Sequence, residues 1–158
     1  MKLTTKSTYG IRALINLAVR YDDGRPVSIK EISDEESIPC IYLEQIFNRL
    51  KKQDLIKSVR GAKGGYILAR SPKEISVLEV VRALENMGHP ATCVSHRKDK
   101  NSVCERSMQC ASREVWDEVE KQISITLDSF SLQSLACRAL EVDPEKRERI
   151  KIYEKSLS

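Results

Sequence analysis

The sequence predicts a mainly α-helical protein with one small β-hairpin, and three observations point to this fold class. Residues 40–52 form a basic amphipathic pattern with helical spacing, after a capped short helix and a turn. Two short apolar runs around a glycine-rich turn follow directly. A second long helical pattern begins near residue 112. This order predicts a winged helix-turn-helix domain, with the hairpin as its wing, followed by a long C-terminal dimerisation helix.

The size and composition of the chain are those of a folded protein in solution. It has 158 residues, of which 41% are apolar and 32% are charged, so a packed core and a solvated surface are both expected. No run of about 18 apolar residues is present, as a membrane span would need. Residues 1–6 lack the apolar core of a secretory signal peptide. We therefore expect a cytoplasmic protein without a membrane segment.

Helical spacing and turn residues define the elements of the N-terminal domain. A first helix is predicted over 7–21, and the sequence Asp-Asp-Gly-Arg-Pro at 22–26 ends it. The motif Ser-Ile-Lys-Glu at 28–31 is a capping box for a short second helix. An Ile-Pro turn leads into a third helix over 40–52, whose apolar face consists of Leu43, Ile46, Phe47 and Leu50.

The following segments alternate between regular and irregular patterns. Two strands, 55–59 and 65–69, bracket the turn Arg-Gly-Ala-Lys-Gly, and a second capping box at 76–79 opens another helix. Helical periodicity then stops until about residue 112. We divide the chain into a winged helix-turn-helix domain (1–86), a cysteine-containing loop (87–111), a dimerisation helix with a short following helix (112–136) and a charged tail that is expected to fray (137–158).

The predicted long helix carries an apolar stripe, formed by Trp116, Val119, Ile123, Leu127 and Phe130. A helix that lies beyond a long loop must bury such a stripe against another surface. A second copy of the chain is the simplest such surface, which predicts a homodimer. The alternative is that the helix folds back onto its own domain.

Positive charge is concentrated on the predicted third helix and wing. Residues 1–70 carry 13 Lys and Arg against 8 Asp and Glu, whereas residues 71–158 carry 14 against 15. Between Arg49 and Arg70, seven residues are basic and one is acidic. This distribution favours double-stranded DNA as a partner, because phosphates attract such a surface. A basic face that meets only solvent is the simpler alternative.

The third helix and the wing also contain side chains of the kinds that bind DNA. The candidates on the helix are an acid, two amides and an arginine: Glu44, Gln45, Asn48 and Arg49. Amides pair with adenine, arginine pairs with guanine or phosphate, and a carboxylate accepts from cytosine. On the wing turn, Arg60 and Lys63 suit the minor groove or its phosphates, and the neighbouring glycines allow the backbone to approach DNA closely.

Three motifs carry a resemblance to a known family. They are Met-Lys-Leu-Thr-Thr-Lys-Ser-Thr-Tyr-Gly at 1–10, Tyr-Leu-Glu-Gln-Ile at 42–46 and Val-Arg-Gly-Ala-Lys-Gly-Gly-Tyr-Ile-Leu at 59–68. With these motifs the chain closely resembles the IscR/NsrR/CymR family of bacterial winged-helix regulators, the Rrf-two family. The resemblance implies a homodimer, built through the long C-terminal helix, on a partly palindromic operator. It also implies base or phosphate contacts from Tyr42, Glu44, Gln45 and Arg60.

Five cysteines in a chain without an export signal argue against a disulfide framework. Three of them, Cys93, Cys104 and Cys110, lie in the predicted loop. Their spacing alone leaves an iron–sulfur cluster, a zinc ion and metal-free thiols open. The resemblance favours a cluster, [2Fe–2S] in preference to [4Fe–4S], which the isolated form could lack. Cys40 and Cys137 are expected to pack as small residues, although modification of Cys40 could displace the third helix.

Two positions depart from the family's ligand patterns, so the fourth ligand stays open. Arg113 stands where IscR-type members have a histidine after the last cysteine. Thr8 stands where NsrR-type members have an aspartate, and the gap between the first two cysteines is longer than in IscR-type members. The remaining candidates are His89, His96, Glu114, Cys137 and a small thiol.

We therefore predict a dimeric transcriptional regulator whose operator binding is controlled by an iron–sulfur cluster that senses redox state, nitric oxide or iron. The alternative is a cluster-free repressor resembling CymR, controlled by a partner enzyme or by thiol modification, for example in cysteine metabolism. An enzyme is not expected, because the sequence contains no recognisable nucleophile–base pair, phosphate loop or pair of catalytic carboxylates.

Overall fold

The computed structural model describes residues 4–61, 63–85, 110–146 and 148, which form helices and one β-hairpin. The strands β1 (Ile56–Val59) and β2 (Gly65–Leu68) pair antiparallel, with Ile56 opposite Leu68. A single 3₁₀ turn spans Tyr21–Asp23. The helices are α1 (Thr5–Val19), α2 (Ile29–Glu36), α3 (Cys40–Lys52), α4 (Val77–Leu84), α5 (Ser112–Asp128) and α6 (Leu132–Val142). The predicted fold class, mainly helical with a small hairpin wing, is confirmed.

Capping side chains explain where the helices begin. Thr4 Oγ1 accepts a hydrogen bond from the Lys6 N–H at 3.2 Å, so α1 starts two residues before the predicted position. The capping box of α4 is complete, with both the Ser76 and the Glu79 side chains bonded to backbone N–H groups. At α2 only the Ser28 half is formed, because the Glu31 side chain is buried and pairs with Arg25 at 2.6 Å instead.

The core is built around α1. Ala13 and Leu14 are fully buried, and apolar residues of the other helices and of the hairpin surround them. The members contributed by α3, α4 and α6 are Leu43, Ile46, Phe47, Leu50, Val80, Leu84, Leu132 and Ala136. Burying these side chains is the dominant favourable contribution to folding, at roughly 1.5–3 kcal/mol for each large one.

The chain returns to this core after α5. Backbone hydrogen bonds join Leu132 N–H to Ile75 O and Val77 N–H to Phe130 O, both at 2.9 Å. They hold the start of α6 beside the start of α4, and Leu132 and Ala136 enter the core against α1. The boundary expected at 136/137 was therefore too early, since α6 continues to Val142.

The segment after α6 was expected to be a fraying charged tail, and its described part is folded. Residues 144–146 are helical, and Lys146 N–H is capped by Asp143 Oδ1 at 3.1 Å. Lys146 Nζ lies 2.7 Å from Glu36 Oε1 in a largely buried ion pair. The prediction that Cys137 packs was wrong, because this residue is exposed on α6.

Helix α5 contains no buried residue. Trp116 of the predicted apolar stripe is 40% exposed and Val119 36%, whereas Ile123 and Leu127 are half-buried, so the stripe is only partly covered within a single chain. Phe130, directly after the helix, is also exposed. Helix α5 also contacts α4 of the same chain, but three of the five stripe residues stay exposed, so folding back onto its own domain, the alternative considered from the sequence, covers the stripe only in part. Within the described ranges, no helix combines the length and the apolar character needed to cross a bilayer.

Candidate nucleic-acid interface

The third helix has the two faces that its spacing predicted. Leu43, Ile46, Phe47 and Leu50 are each at most 1% exposed and face the core. The solvent side of the helix presents Ile41, Glu44, Gln45, Asn48, Arg49 and Lys52. The acid, the two amides and the arginine proposed to contact DNA are thus exposed together on one helix.

A tight turn fixes the direction in which α3 leaves α2. Ser37 adopts a left-handed conformation with φ of 52°, and the N–H of Ile38 bonds to Ser33 O at 3.1 Å. The Ile38 side chain is 1% exposed and anchors the turn in the core. Pro39 then caps α3 with backbone contacts alone. This connection presents the first turn of α3 toward solvent.

A long-range bridge places the wing beside α3. Tyr66 on β2 exchanges backbone hydrogen bonds with Val27, at 2.8 and 3.0 Å. The Tyr66 ring packs edge-on against the Phe47 ring, with 4.8 Å between the ring centres. Gly65 is required at this crossing, because a Cβ there would lie 2.5 Å from the carbonyl of Val27. Val27 was not among the residues predicted to position the wing, since a single bridge between distant residues leaves no local periodicity.

The wing turn and the end of α3 present exposed basic side chains. Arg60 and Lys63 flank the turn, where Gly61 has a φ of 125° that other residues rarely adopt. Lys51 Nζ donates to Ser58 Oγ at 3.0 Å, which joins the last turn of α3 to β1. Arg49 and Lys52 on α3 and Lys57 on β1 are also exposed. Their positive charge faces the solvent beside the polar surface of α3.

Two of the proposed DNA contacts also hold α3 in place. The half-buried Tyr42 ring lies edge-on to Tyr9 of α1, with 5.6 Å between ring centres. Arg49 is exposed, but its Nη1 donates to the carbonyl oxygen of Leu84 at 2.9 Å. The third helix is therefore fastened to the last turn of α4 as well as to α1.

The same turn of α4 is fastened to the start of α1 by Glu85. One carboxylate oxygen of Glu85 accepts from Thr4 N–H at 2.9 Å, Thr4 Oγ1 at 2.6 Å and Ser7 Oγ at 2.7 Å. Partial burial raises the pKa of Glu85, but these hydrogen bonds and the charge of Lys6 outweigh it and hold the pKa below its ordinary value. Glu85 is therefore a fixed point immediately before the segment that contains Cys93 and Cys104.

A second ionic cluster lies between α1 and the end of α2. Glu36 accepts from Arg12 Nε at 3.3 Å, Asn16 Nδ2 at 3.2 Å and Lys146 Nζ at 2.7 Å. Burial raises the pKa of Glu36. The hydrogen bonds from Lys146 and Asn16, together with the charges of Lys146 and Arg12, lower the pKa by a larger amount. The net result is a pKa below the ordinary value, one residue before the turn into α3.

Replacing Glu36 with Gln is expected to lower the free energy of unfolding at neutral pH. Because the pKa of Glu36 is lowered in the folded protein, its stabilisation is present above 4.5, its ordinary value, and is lost as pH falls through the lower folded value. Denaturant unfolding at a series of pH values should show a shallower acid slope for Glu36→Gln. The control Glu141→Gln removes an exposed carboxylate and should keep the wild-type slope; a wild-type slope in Glu36→Gln would contradict this assignment.

The cysteines are only partly covered by the structure. Cys110 is half-buried, and its Sγ lies 3.0 Å from Ser112 Oγ at the start of α5. Cys93, Cys104, His89 and His96 lie outside the described residues. Among the residues that are described, no three His, Cys, Asp or Glu side chains come together as a metal site.

The other candidate ligands and thiols occupy separate elements. Glu114 is exposed in the first turn of α5, and Cys137 on α6 accepts from Gln133 Nε2 at 3.5 Å. Arg113, at the position of the IscR-type histidine, pairs with Asp117 at 3.5 Å, and Thr8 is exposed on α1. Cys40 is half-buried at the start of α3, as a packed small residue would be.

Comparison with known sequences identifies a matching family. The profile described as "Rrf2: Iron-dependent Transcriptional regulator" matches residues 3–138. The chain is 40% identical over 135 residues to protein rrf2 of Nitratidesulfovibrio vulgaris, which covers 85% of this chain and 87% of that protein. It is 36% identical over 135 residues to the HTH-type transcriptional regulator IscR of Aliivibrio salmonicida, a match that covers 85% of this chain and 77% of that protein.

Solved structures show the same architecture. T. potens IscR superposes with a TM-score of 0.70 at 35% sequence identity, covering 90% of this chain and 91% of that one. CymR of B. subtilis, described as the global cysteine regulator, superposes with a TM-score of 0.65 at 31% sequence identity. The match covers 87% of this chain and 98% of that one. The resemblance inferred from the wing and third-helix motifs is therefore confirmed.

Proposed function

Because the chain belongs to the Rrf2 family of transcriptional regulators, we propose that it is a cytoplasmic homodimer that binds a partly palindromic operator under the control of an iron–sulfur cluster. The observation that carries the DNA-binding part is the exposed polar face of α3 beside the basic wing. The curated relatives named above are a transcriptional regulator and an rrf2 protein of the same family, which agrees with the prediction that the chain is not an enzyme.

Each part of the interface has a distinct task in this proposal. The third helix enters the major groove, where Glu44, Gln45 and Asn48 meet base edges. Arg60 and Lys63 on the wing bind phosphates or the minor groove. Arg49 and Tyr42 were predicted to contact DNA, and the hydrogen bond of Arg49 to Leu84 O and the ring contact of Tyr42 with Tyr9 give them a positioning role as well. One Arg49 nitrogen bonds to Leu84, and the others can still reach a phosphate.

The apolar stripe of α5 is the proposed dimer interface. Trp116, Val119 and Ile123 lie on α5, which has no buried residue within a single chain. Two such stripes packed against each other would remove this apolar surface from water. A two-fold dimer presents two copies of α3, which is the arrangement that a partly palindromic operator requires.

The donor set fits an iron–sulfur cluster, because Cys93, Cys104 and Cys110 provide three thiolates. When bound, such a cluster supplies a centre that oxygen, nitric oxide or iron limitation can alter. The chain segment that contains these cysteines is connected at both ends to elements of the proposed DNA and dimer interfaces. Glu85 fixes its beginning to Thr4 and Ser7, while Cys110 precedes the dimer helix. The Arg49–Leu84 hydrogen bond then links the end of α4 to the third helix.

The second candidate is a cluster-free repressor like CymR, and the superposition with B. subtilis CymR favours it. In that case the same α3 and wing would bind DNA. The loop cysteines would be redox thiols or bystanders, and a partner enzyme would provide the signal.

Changing Cys104 to Ala is expected to abolish iron binding, because two thiolates do not retain a cluster that three hold. The protein is purified without oxygen, and iron, acid-labile sulfide and visible absorption are measured per chain. The matched control is Cys137→Ala, which removes an exposed cysteine on α6 and should leave the iron content unchanged. Wild-type protein without iron or sulfide after reconstitution would exclude the cluster and favour the CymR-like candidate.

DNA binding is tested separately with duplexes selected from a random pool by the wild-type protein. Gln45→Ala on the exposed face of α3 should weaken binding to the selected duplex, with Gln133→Ala on α6 as the control amide. Failure of the wild-type protein to select any sequence would contradict the proposed operator binding.

A further inference from the structure

We propose that Ile41 is a specificity residue that recognises the 5-methyl group of a thymine in each operator half-site. This inference rests on the proposed DNA-binding function and adds a residue that sequence analysis did not select. Ile41 is 74% exposed, more than any other large apolar side chain among the described residues. It takes no part in the core or in the stripe of α5.

The position of Ile41 places it with the polar residues of the interface. It is the second residue of α3, which starts at Cys40, and the N-terminal residues of a recognition helix contact base edges. Residues three and four apart are neighbours on a helix, so Ile41 is adjacent to Glu44 and Gln45 on the exposed face. Within this first turn Ile41 is exposed, while Leu43 enters the core.

The surroundings of Ile41 favour a single methyl group over a protein partner. Glu44, Gln45 and Asn48 are all exposed polar neighbours, so Ile41 is an isolated apolar group and not part of a wide apolar patch. In the major groove, the only apolar feature of a base edge is the C5-methyl group of thymine. A β-branched side chain in a helix has one strongly preferred χ1 rotamer, so it loses little freedom on contact.

Gln45 also favours A·T base pairs in the operator. Its side-chain amide suits the N6 and N7 groups of adenine, and thymine is present wherever adenine is paired. A Gln45–adenine contact and an Ile41–thymine contact on neighbouring base pairs would together select A·T steps.

The test replaces thymines of the selected duplex one at a time with deoxyuridine, which removes the methyl group alone. For wild-type protein, one replacement per half-site should raise the Kd by about three- to tenfold, the range expected for losing one buried methyl contact. Ile41→Ala should raise the Kd for the thymine duplex by a similar factor. With Ile41→Ala, the same deoxyuridine replacement should then have no further effect.

The control Val142→Ala removes an apolar side chain that is 70% exposed on α6, and it should keep the wild-type response to deoxyuridine. The proposed contact would be overturned if, at every thymine, deoxyuridine raised the Kd of Ile41→Ala by the same factor as the Kd of the wild-type protein. Wild-type affinity for Ile41→Ala would also overturn it. Wild-type protein that binds no DNA at all would refute the proposed function itself, which is a distinct outcome.

Discussion

Val119→Asp is expected to convert the protein to a monomer and to weaken operator binding by at least about 100-fold. Val119 lies in the middle of the apolar stripe on α5, a helix with no buried residue in the single chain. A carboxylate in that position would be buried without a partner in the proposed dimer, at a cost of several kcal/mol. A monomer holds one copy of α3 and loses the second half-site, which weakens operator binding by this factor or more.

The measurement combines analytical ultracentrifugation with fluorescence anisotropy on the selected duplex. Lys121→Asp is the matched control, because it introduces the same carboxylate two residues away on an exposed position of α5. It should remain dimeric, although it loses its contact with Glu118. If Val119→Asp stays dimeric and binds the duplex like wild type, then α5 is not the dimer interface.

Arg20→Met is expected to lower the free energy of unfolding by about 3–5 kcal/mol, the range for breaking a buried ion pair from one side. The Arg20 side chain is 1% exposed and pairs with Glu31 and Glu35 of α2, while its Nη1 also bonds to Asn16 of α1. Without the guanidinium, Glu31 is left with Arg25 alone in a site where its side chain is 2% exposed. The loss therefore weakens the packing of α2 against α1.

Denaturant unfolding followed by circular dichroism gives this free energy directly. The control Arg138→Met removes an exposed arginine, 71% exposed and paired with Glu141, and should cost at most about 1 kcal/mol. Equal, small losses in both variants would show that the buried network contributes little. Unfolding of the N-terminal domain of the Arg20→Met variant should also abolish DNA binding, because α2 positions the turn that leads into α3.

Much of the proposed DNA-binding face was predictable from the sequence, because it depends on local patterns. The 3.6-residue spacing of Leu43, Ile46 and Phe47 defined the buried side of α3 and therefore its exposed side. The glycines and basic residues after β1 defined the wing turn. Ile41 could have been found in the same way, from its position one turn before Glu44. It was not selected because the candidate DNA contacts were chosen among polar and charged side chains.

The positioning contacts were not predictable, because they join residues that are far apart in sequence. Arg49 bonds to Leu84, Glu85 to Thr4, and Lys146 to Glu36. A single charged or polar side chain has no periodicity that reveals its partner. For the same reason the sequence did not show that the predicted capping box of α2 is only half formed, since Arg20 and Arg25, which lie outside the motif, both pair with Glu31.

From the sequence alone we could predict the order of the elements, the two faces of α3, the basic wing and the family resemblance. These features follow from residue type and local spacing, which the backbone periods of helix and strand translate directly into exposed and buried faces. The tertiary structure was needed to show that α6 returns to α1 while Trp116 and Val119 of α5 stay exposed, and that Arg49 and Glu85 join the third helix, α1 and the end of α4. Long-range packing and ion pairing depend on which surfaces meet in three dimensions, and local spacing carries no information about that.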